Sequence, residues 1–322
     1  MARTGWGPPA SNSIGAVLGY FGPEGTFTHQ ALLSLGVDSP THPYPTVVAA
    51  IDAARRGEVE SALVPIENSV EGGVSATLDA LAAGERLTIV REVLLEVQFG
   101  LFVRPGTRLD EVRSVLTHPH AFAQTRGWVS AHLPQAQVTE GGSTAGAAQE
   151  VSNPQSRFDA AICAPIAGQM YGLTAAASNI ADNDSAVTRF VLVGRAGSLP
   201  PRTGADKTTL VAYMRKDHPG ALLEILEQSA GRGVNLCRIE SRPTKSKLGD
   251  YCFSIDAEGH VLDARMGEAL MGLHRICQDV VFLGSYPRAD RVEPKVPHGG
   301  RDGDYERAAA WLSRLRGEPS PA

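Results

Sequence analysis

ALVPIENSVEGG, residues 62–73, runs from an apolar segment into Glu67, Asn68 and Ser69 and then a glycine pair. A short apolar run bounded by turn residues reads as a buried strand. A connecting turn with a helix cap at Ser69 or Ser75 would use similar residues. Its surroundings recur later in the chain. Thr46-Val-Val-Ala-Ala-Ile opens a helical stretch that leads through Arg55-Arg56-Gly57-Glu58 to this segment, and Thr144-Ala-Gly-Ala-Ala-Gln opens another that leads through Asn153-Pro154 to AAICAPIAG (160–168). Each half reads as a strand, a helix capped by Ser or Thr, and a second strand, whose end is expected to turn into a further helix at Pro65 and at Pro165. Two similar α/β lobes facing each other make a cleft. Ligands of open α/β sheets collect outside the carboxyl ends of the strands, where helix N-termini offer free N–H groups to anions. Residues 179–195 supply a late strand that returns to the first lobe, so the chain crosses twice.

The bulk properties agree with a packed soluble protein. Of 322 residues, 43% are hydrophobic and 20% charged, and the net charge is -5. That balance offers no nucleic-acid surface, and RKDH (215–218) reads as a solvated turn. The four cysteines, Cys163, Cys237, Cys252 and Cys277, lie far apart without a CxxC pair, so neither a zinc site nor a disulfide framework is expected. Residues 1–13 lack the apolar core of a secretory signal, and no apolar run reaches about 18 residues. No membrane partner and a cytoplasmic location are the expectation. Punctuation divides the chain into a flexible N-terminus (1–15), a first unit (16–195, with lobes of about 16–94 plus 180–195 and 95–179), a linker (196–206), a second unit (207–287) and a tail (288–322). Within the tail, 304–316 has the pattern of a short amphipathic helix.

Further stretches place polar groups at the cleft. GYFGPEGTFTHQAL (19–32) is a strand end, a Gly-Pro turn and a helix start with Thr26, Thr28 and His29 near the cap. THPHAFAQTRGWV (117–129) presents His118 and His120 before a helix that carries Gln124; their i, i+2 spacing without a third ligand argues against a metal. GGSTAGAA (141–148) opens a helix with Ser143 and Thr144, which suits a carboxylate. ADNDSAVTRFVLVG (181–194) drops from polar residues into an apolar strand with Thr188 and Arg189 at the junction. The second unit reads as β-α-β-β-α-β, the ferredoxin-like pattern.

GPEGTFTHQAL, VPIENSVEGGV, THPHAFAQ, DNDSAVTRF, GALLEIL and ESRP, in that order and at these separations, resemble bacterial prephenate dehydratase with its C-terminal ACT regulatory domain, over about residues 17–286. The ordered set is specific where each motif alone is weak. The resemblance implies a two-lobed, periplasmic-binding-protein-like (type II) catalytic domain and a ferredoxin-like ACT domain. It also implies conversion of prephenate to phenylpyruvate on the route to phenylalanine, with no cofactor and no metal. Thr188 is then the group at the leaving hydroxyl, and Glu67 and His118 are candidates for delivering its proton. Asn68, Ser69, Gln124, Ser143, Thr144 and Thr26 would hold the carboxylates and ring, and Arg189 would offer a cation. Phenylalanine would bind as effector at Pro219, Gly220, Ala221 and Leu222 and along Asn235, Leu236, Glu240, Ser241, Arg242 and Pro243. Pairing of ACT domains would make a homodimer or homotetramer. Two other readings stay open: an arogenate dehydratase, and a non-enzymatic amino-acid-sensing or solute-binding protein on the same cleft.

Overall fold

The computed structural model describes residues 17–183, 185–244 and 251–317. The expected flexible segment 1–15 lies outside them. The first lobe is built from β1 (Leu18–Phe21), α1 (Phe27–Ser34), β2 (Thr41–Tyr44), α2 (Val47–Arg56), β3 (Ser61–Asn68), β4 (Gly72–Gly73), α3 (Ser75–Ala82) and β5 (Leu87–Glu96). The second holds β6 (Gly100–Val103), β7 (Ser114–Thr117), α4 (Pro119–Ala123), α5 (Arg126–His132), β8 (Gln137–Glu140), α6 (Thr144–Ser152), β9 (Ala160–Cys163), α7 (Pro165–Met170) and β10 (Thr174–Ala177). Strand β11 (Val187–Arg195) then returns to the first sheet and inserts antiparallel between β3 and β5, giving the order β2-β1-β3-β11-β5. The second sheet has the order β10-β6-β9-β7-β8. This is the double crossing of a two-lobed type II fold.

The remaining chain forms β12 (Asp206–Tyr213), α8 (Ala221–Ala230), β13 (Leu236–Pro243), β14 (Tyr251–Glu258), α9 (Ala264–Ile276) and β15 (Asp279–Pro287), in an antiparallel sheet of order β13-β14-β12-β15. That is the ferredoxin-like arrangement. Its α10 (Asp302–Arg316) covers the helix expected at 304–316 and lies against α9.

The helix starts are local chemistry. The hydroxyls of Thr26, Thr46 and Ser143 accept from the N–H groups of His29, Ala49 and Gly146, satisfying donors that a first turn leaves orphaned. Pro165 begins α7, where its missing N–H costs nothing. Pro65 does not begin a helix, contrary to expectation: it lies inside the central strand β3, and the next helix starts at Ser75. A central strand tolerates proline only where the ladder is broken. Here Arg189 pairs with Glu67 but Phe190 pairs with Pro65, so Ile66 is the extra residue of a β-bulge.

The first sheet is covered differently on its two faces. On one face, Tyr20, Leu63, Phe190 and Leu192 pack against Leu32 of α1. On the other, Ile51, Val64, Ile66, Val191 and Val193 share a core with Val211, Val281, Leu283 and Tyr286 of the ferredoxin-like sheet. The two units are therefore joined by a continuous apolar core rather than by a linker alone.

Candidate active site

The bulge decides which side chains meet. Thr188 lies opposite Asn68 across β11 and β3, and Asn68 Nδ2 donates to Thr188 Oγ1 at 2.7 Å. The Asn68 Oδ1 accepts from the N–H groups of Val70 (2.8 Å) and Glu71 (3.3 Å), which orients the amide with its NH₂ toward the threonine. The Thr188 hydroxyl has no other hydrogen-bond partner among the described residues, so its proton is free to be donated. Ser69 ties the same strand ends: its N–H donates to the Val187 carbonyl, and its Oγ accepts from the Val187 N–H, both at 2.9 Å.

From the second lobe, His118 caps α4, its Nδ1 accepting from the His120 N–H at 3.3 Å. That role fixes the neutral tautomer with the proton on Nε2. Burial, with the neighbouring His120, holds the imidazole below its ordinary value, and the nearby Glu71 and Glu140 only partly oppose this. His118 is thus a neutral hydrogen-bond donor at pH 7 rather than a charged acid. His120 lies in the first turn of α4 rather than before it, and its Nδ1 pairs with Glu71 of the first lobe, bridging the two lobes. Gln124 is the residue that ends α4, and its Oε1 is buried without a partner. Ser143 spends its hydroxyl as a helix cap, while the first N–H groups of α6, at Thr144 and Ala145, remain the anion-facing donors that a helix start provides. A Cβ added at Gly25 would stand 3.5 Å from the Ala145 Cβ, so the β1–α1 turn reaches this helix start.

Three expected site residues lie elsewhere. Thr26 donates its hydroxyl to the Pro23 carbonyl at 2.9 Å and accepts from His29, so its side chain is a cap and not a substrate ligand. Arg189 points to the opposite face from Thr188, because successive side chains on a strand alternate. There it is 5% exposed with all three nitrogens bonded: it binds Glu92 (2.7 Å), Glu67 (3.3 Å), Tyr286 (2.7 Å) and Asp256. Glu67 turns the same way, since the bulge at Ile66 places it with Arg189 and not with Asn68. Neither the expected cation nor the expected carboxylic acid is on Thr188's side.

The same alternation corrects part of the expected effector set. Arg238, Glu240 and Arg242 pair in register with Asp256, Ser254 and Cys252 and share their face toward the first lobe. Arg242 binds Asp79 at 3.0 Å, and a Cβ at Gly73 would collide with the Glu240 carboxylate. Glu240 and Arg242 are interdomain contacts. Gly220, with φ of 93° and open space where a Cβ would be, starts α8 beside a cavity of about 370 Å³ lined by Met214, Arg215, His218, Ala221, Ile225 and Cys277.

Sequence reasoning missed Asp256, which is fully buried between Arg189 and Arg238 and also accepts from Thr209 at 2.6 Å. Burial by itself would raise this carboxyl, but the two guanidiniums more than offset it and hold the group far below the usual carboxylate range. An acid flanked by Ile255 and Ala257 in the strand Phe253-Ser-Ile-Asp-Ala was the available signal. Glu71, the first lobe's half of the bridge to His120, was likewise unassigned.

The family model described as prephenate dehydratase matches residues 18–198. A prephenate dehydratase of Amycolatopsis methanolica is 46% identical over 304 residues, covering 94% of this chain and 98% of that protein. The crystal structure of prephenate dehydratase in complex with L-Phe from Arthrobacter aurescens superposes with a TM-score of 0.90 at 49% identity, covering 94% of this chain and 99% of that one. A solved quorum-quenching acylase, described as of a novel type, superposes with a TM-score of 0.76 at 30% identity, covering 84% and 97%. With a matched domain that includes the Asn68–Thr188 pair and likeness extending along nearly the whole chain, the protein belongs to the prephenate dehydratase family.

Proposed function

We propose that the chain converts prephenate to phenylpyruvate, and that the Asn68–Thr188 hydrogen bond is the observation that carries the mechanism. Prephenate bears two carboxylates and a ring hydroxyl. Loss of the ring carboxylate as carbon dioxide sends its bonding electrons through the ring and expels the hydroxyl, so the enzyme must bind a dianion and stabilise a departing oxygen. Asn68 occupies a lone pair of Thr188 Oγ1, so the threonine O–H is directed outward as a donor to that oxygen. Neutral His118 offers Nε2–H as a second donor, and the N-terminus of α6 suits a carboxylate. Ser69, Gln124 and Thr144 complete the proposed substrate contacts. A nucleophilic acyl-transfer reaction is less well supported: among the described residues Thr188 Oγ1 is hydrogen-bonded to an amide and to no imidazole or carboxylate that would take its proton.

The ferredoxin-like unit, at 207–287, acts as an ACT regulatory domain that binds phenylalanine at the 219–222 turn together with Asn235, Leu236, Ser241 and Pro243. The phenylalanine complex of the Arthrobacter aurescens relative supports this reading. Strand β13 is an edge of its sheet, which suits pairing with a second copy into a homodimer or homotetramer. No described helix is long and apolar enough to cross a membrane, and a cytoplasmic location fits the reading. The test is an assay for phenylpyruvate formation by purified protein, with and without phenylalanine. Turnover of prephenate that phenylalanine suppresses is expected; a folded protein that leaves prephenate untouched overturns the reading.

A further inference from the structure

Directly behind the Asn68–Thr188 pair lies a largely buried charged cluster that belongs to both structural units. The first lobe contributes Arg189, Glu67 and Glu92; the ferredoxin-like sheet contributes Asp256, Tyr286, Lys207 and Arg238. Glu92 binds Arg189 at 2.7 Å and Lys207 at 2.9 Å, and it accepts from the Ala289 N–H at 2.9 Å. Asp256 binds Arg189 and, at 2.8 Å, Arg238 of β13. Tyr286 OH contacts both Arg189 Nη2 and Thr209.

We propose that Asp256 and Tyr286 are positioning residues that act on Thr188 through Arg189, making turnover depend on how the ferredoxin-like sheet docks and giving the effector its route to the active site. The reason is geometric. Arg189 is the next residue to Thr188 on one strand, and its guanidinium is held across the interface by a charge-assisted bond to Asp256 and a bond to the Tyr286 hydroxyl. A shift of the ferredoxin-like sheet cannot leave the guanidinium behind, because a buried charge stripped of its partners is unfavourable. It must therefore drag β11 and alter the Asn68–Thr188 contact. The cluster also has an unused position. Arg238 Nη1 is buried without a hydrogen bond, and the nearest Glu240 carboxylate oxygen stands 3.8 Å away, between Arg238 and Arg242. Glu240 also touches the Gly72–Gly73 strand that pairs with Asn68 and Glu67. A second packing, in which Glu240 leaves Gly73 and closes on Arg238, is available with little rearrangement, which is what a two-state joint requires.

The effector half of this inference rests on the regulatory reading above; the positioning half does not. The experiment compares full-length wild type with Tyr286→Phe, which keeps the aromatic packing and removes only the hydroxyl, and with Asp256→Asn. Turnover, KM, phenylalanine affinity by calorimetry and inhibition at saturating phenylalanine are measured on each. For Asp256→Asn, kcat is expected to fall about tenfold or more with KM within about threefold, the signature of a contact felt in the transition state. For Tyr286→Phe, phenylalanine affinity should stay within about threefold while the inhibition factor shrinks by about threefold or more, since coupling and binding are separable. Unchanged kcat and unchanged inhibition in a folded Tyr286→Phe protein would overturn the proposal even if Asp256→Asn failed to fold. A wild type that neither binds nor responds to phenylalanine would overturn the regulatory reading instead, leaving kcat in the two variants to judge the positioning role.

Discussion

Thr188 and Arg189 are consecutive, polar and nearly inaccessible, yet they sit in opposite chemical states on the two faces of β11. On the front face Thr188 has one partner and a proton still to give. On the back face Arg189 has four side-chain partners, and each of its three nitrogens is already bonded. Burial and polarity do not separate the two residues; unspent hydrogen-bonding capacity does. A saturated buried group is structure, whereas an unsaturated one is prepared for a substrate.

The comparison breaks most readily at Arg189. Replacing it with Leu leaves Asp256 with Arg238 alone and Glu92 with Lys207 alone, and stability should fall by about 3–5 kcal/mol, because each buried acid loses one of its two cations. Chemical denaturation measures this, and a loss near zero would show that the cluster is not the joint between the two sheets. Thr188→Ala should instead leave the melting transition close to wild type and lower kcat by about 10²–10³-fold, as removal of a donor to a departing oxyanion does. Thr188→Ser keeps the hydroxyl and should retain substantial turnover in the same assay; equal, severe loss in both variants would argue for the methyl group rather than the hydroxyl.

A second threonine sharpens the contrast. Thr26 spends its hydroxyl on the backbone at the start of α1, so Thr26→Ala should cost about 1 kcal/mol of stability, the usual value of a helix cap, with turnover nearly unchanged. A large fall in kcat with intact stability would return Thr26 to the substrate site.

The smallest effect concerns pH. His29 stacks on Tyr20 with ring centroids 5.2 Å apart, and its Nδ1 accepts from the Gly25 N–H at 3.1 Å. Burial lowers its pKa from the ordinary 6.5, with Glu24 opposing weakly. The unfolded chain therefore takes up this proton first on acidification. The stabilisation is complete above the unfolded value and is lost as pH falls through the depressed folded value. The melting temperature should decline as the solution is acidified from pH 7 to 5, and His29→Gln, which keeps an acceptor without a titrating ring, should flatten part of that slope. An identical slope would remove His29 from the linkage.

Much of the architecture is local information. The caps at Thr26, Thr46 and Ser143, the proline at the start of α7 and the alternating strands of the ferredoxin-like unit follow from hydrogen bonds and side-chain periods spanning a few residues. They can be read before any contact is known, as can the approach of Asn68 and Thr188 to the cleft, because Asn68 ends one strand and Thr188 stands where polar residues give way to another. The role of Arg189 could not be read in that way. Its partners lie 67 to 122 residues away in the chain, and whether it meets a substrate carboxylate or those acids depends on which face of the strand it occupies. Alternation along β11 puts it on the face of Val191 and Val193, but the second sheet packed against that face, and the extra residue at Ile66 that turns Glu67 to the same side, are tertiary features. The sequence by itself determined which residues are polar and where strands end. Only the tertiary structure decided which of them are already neutralised, because a charge is satisfied by whatever group packing brings within hydrogen-bond reach.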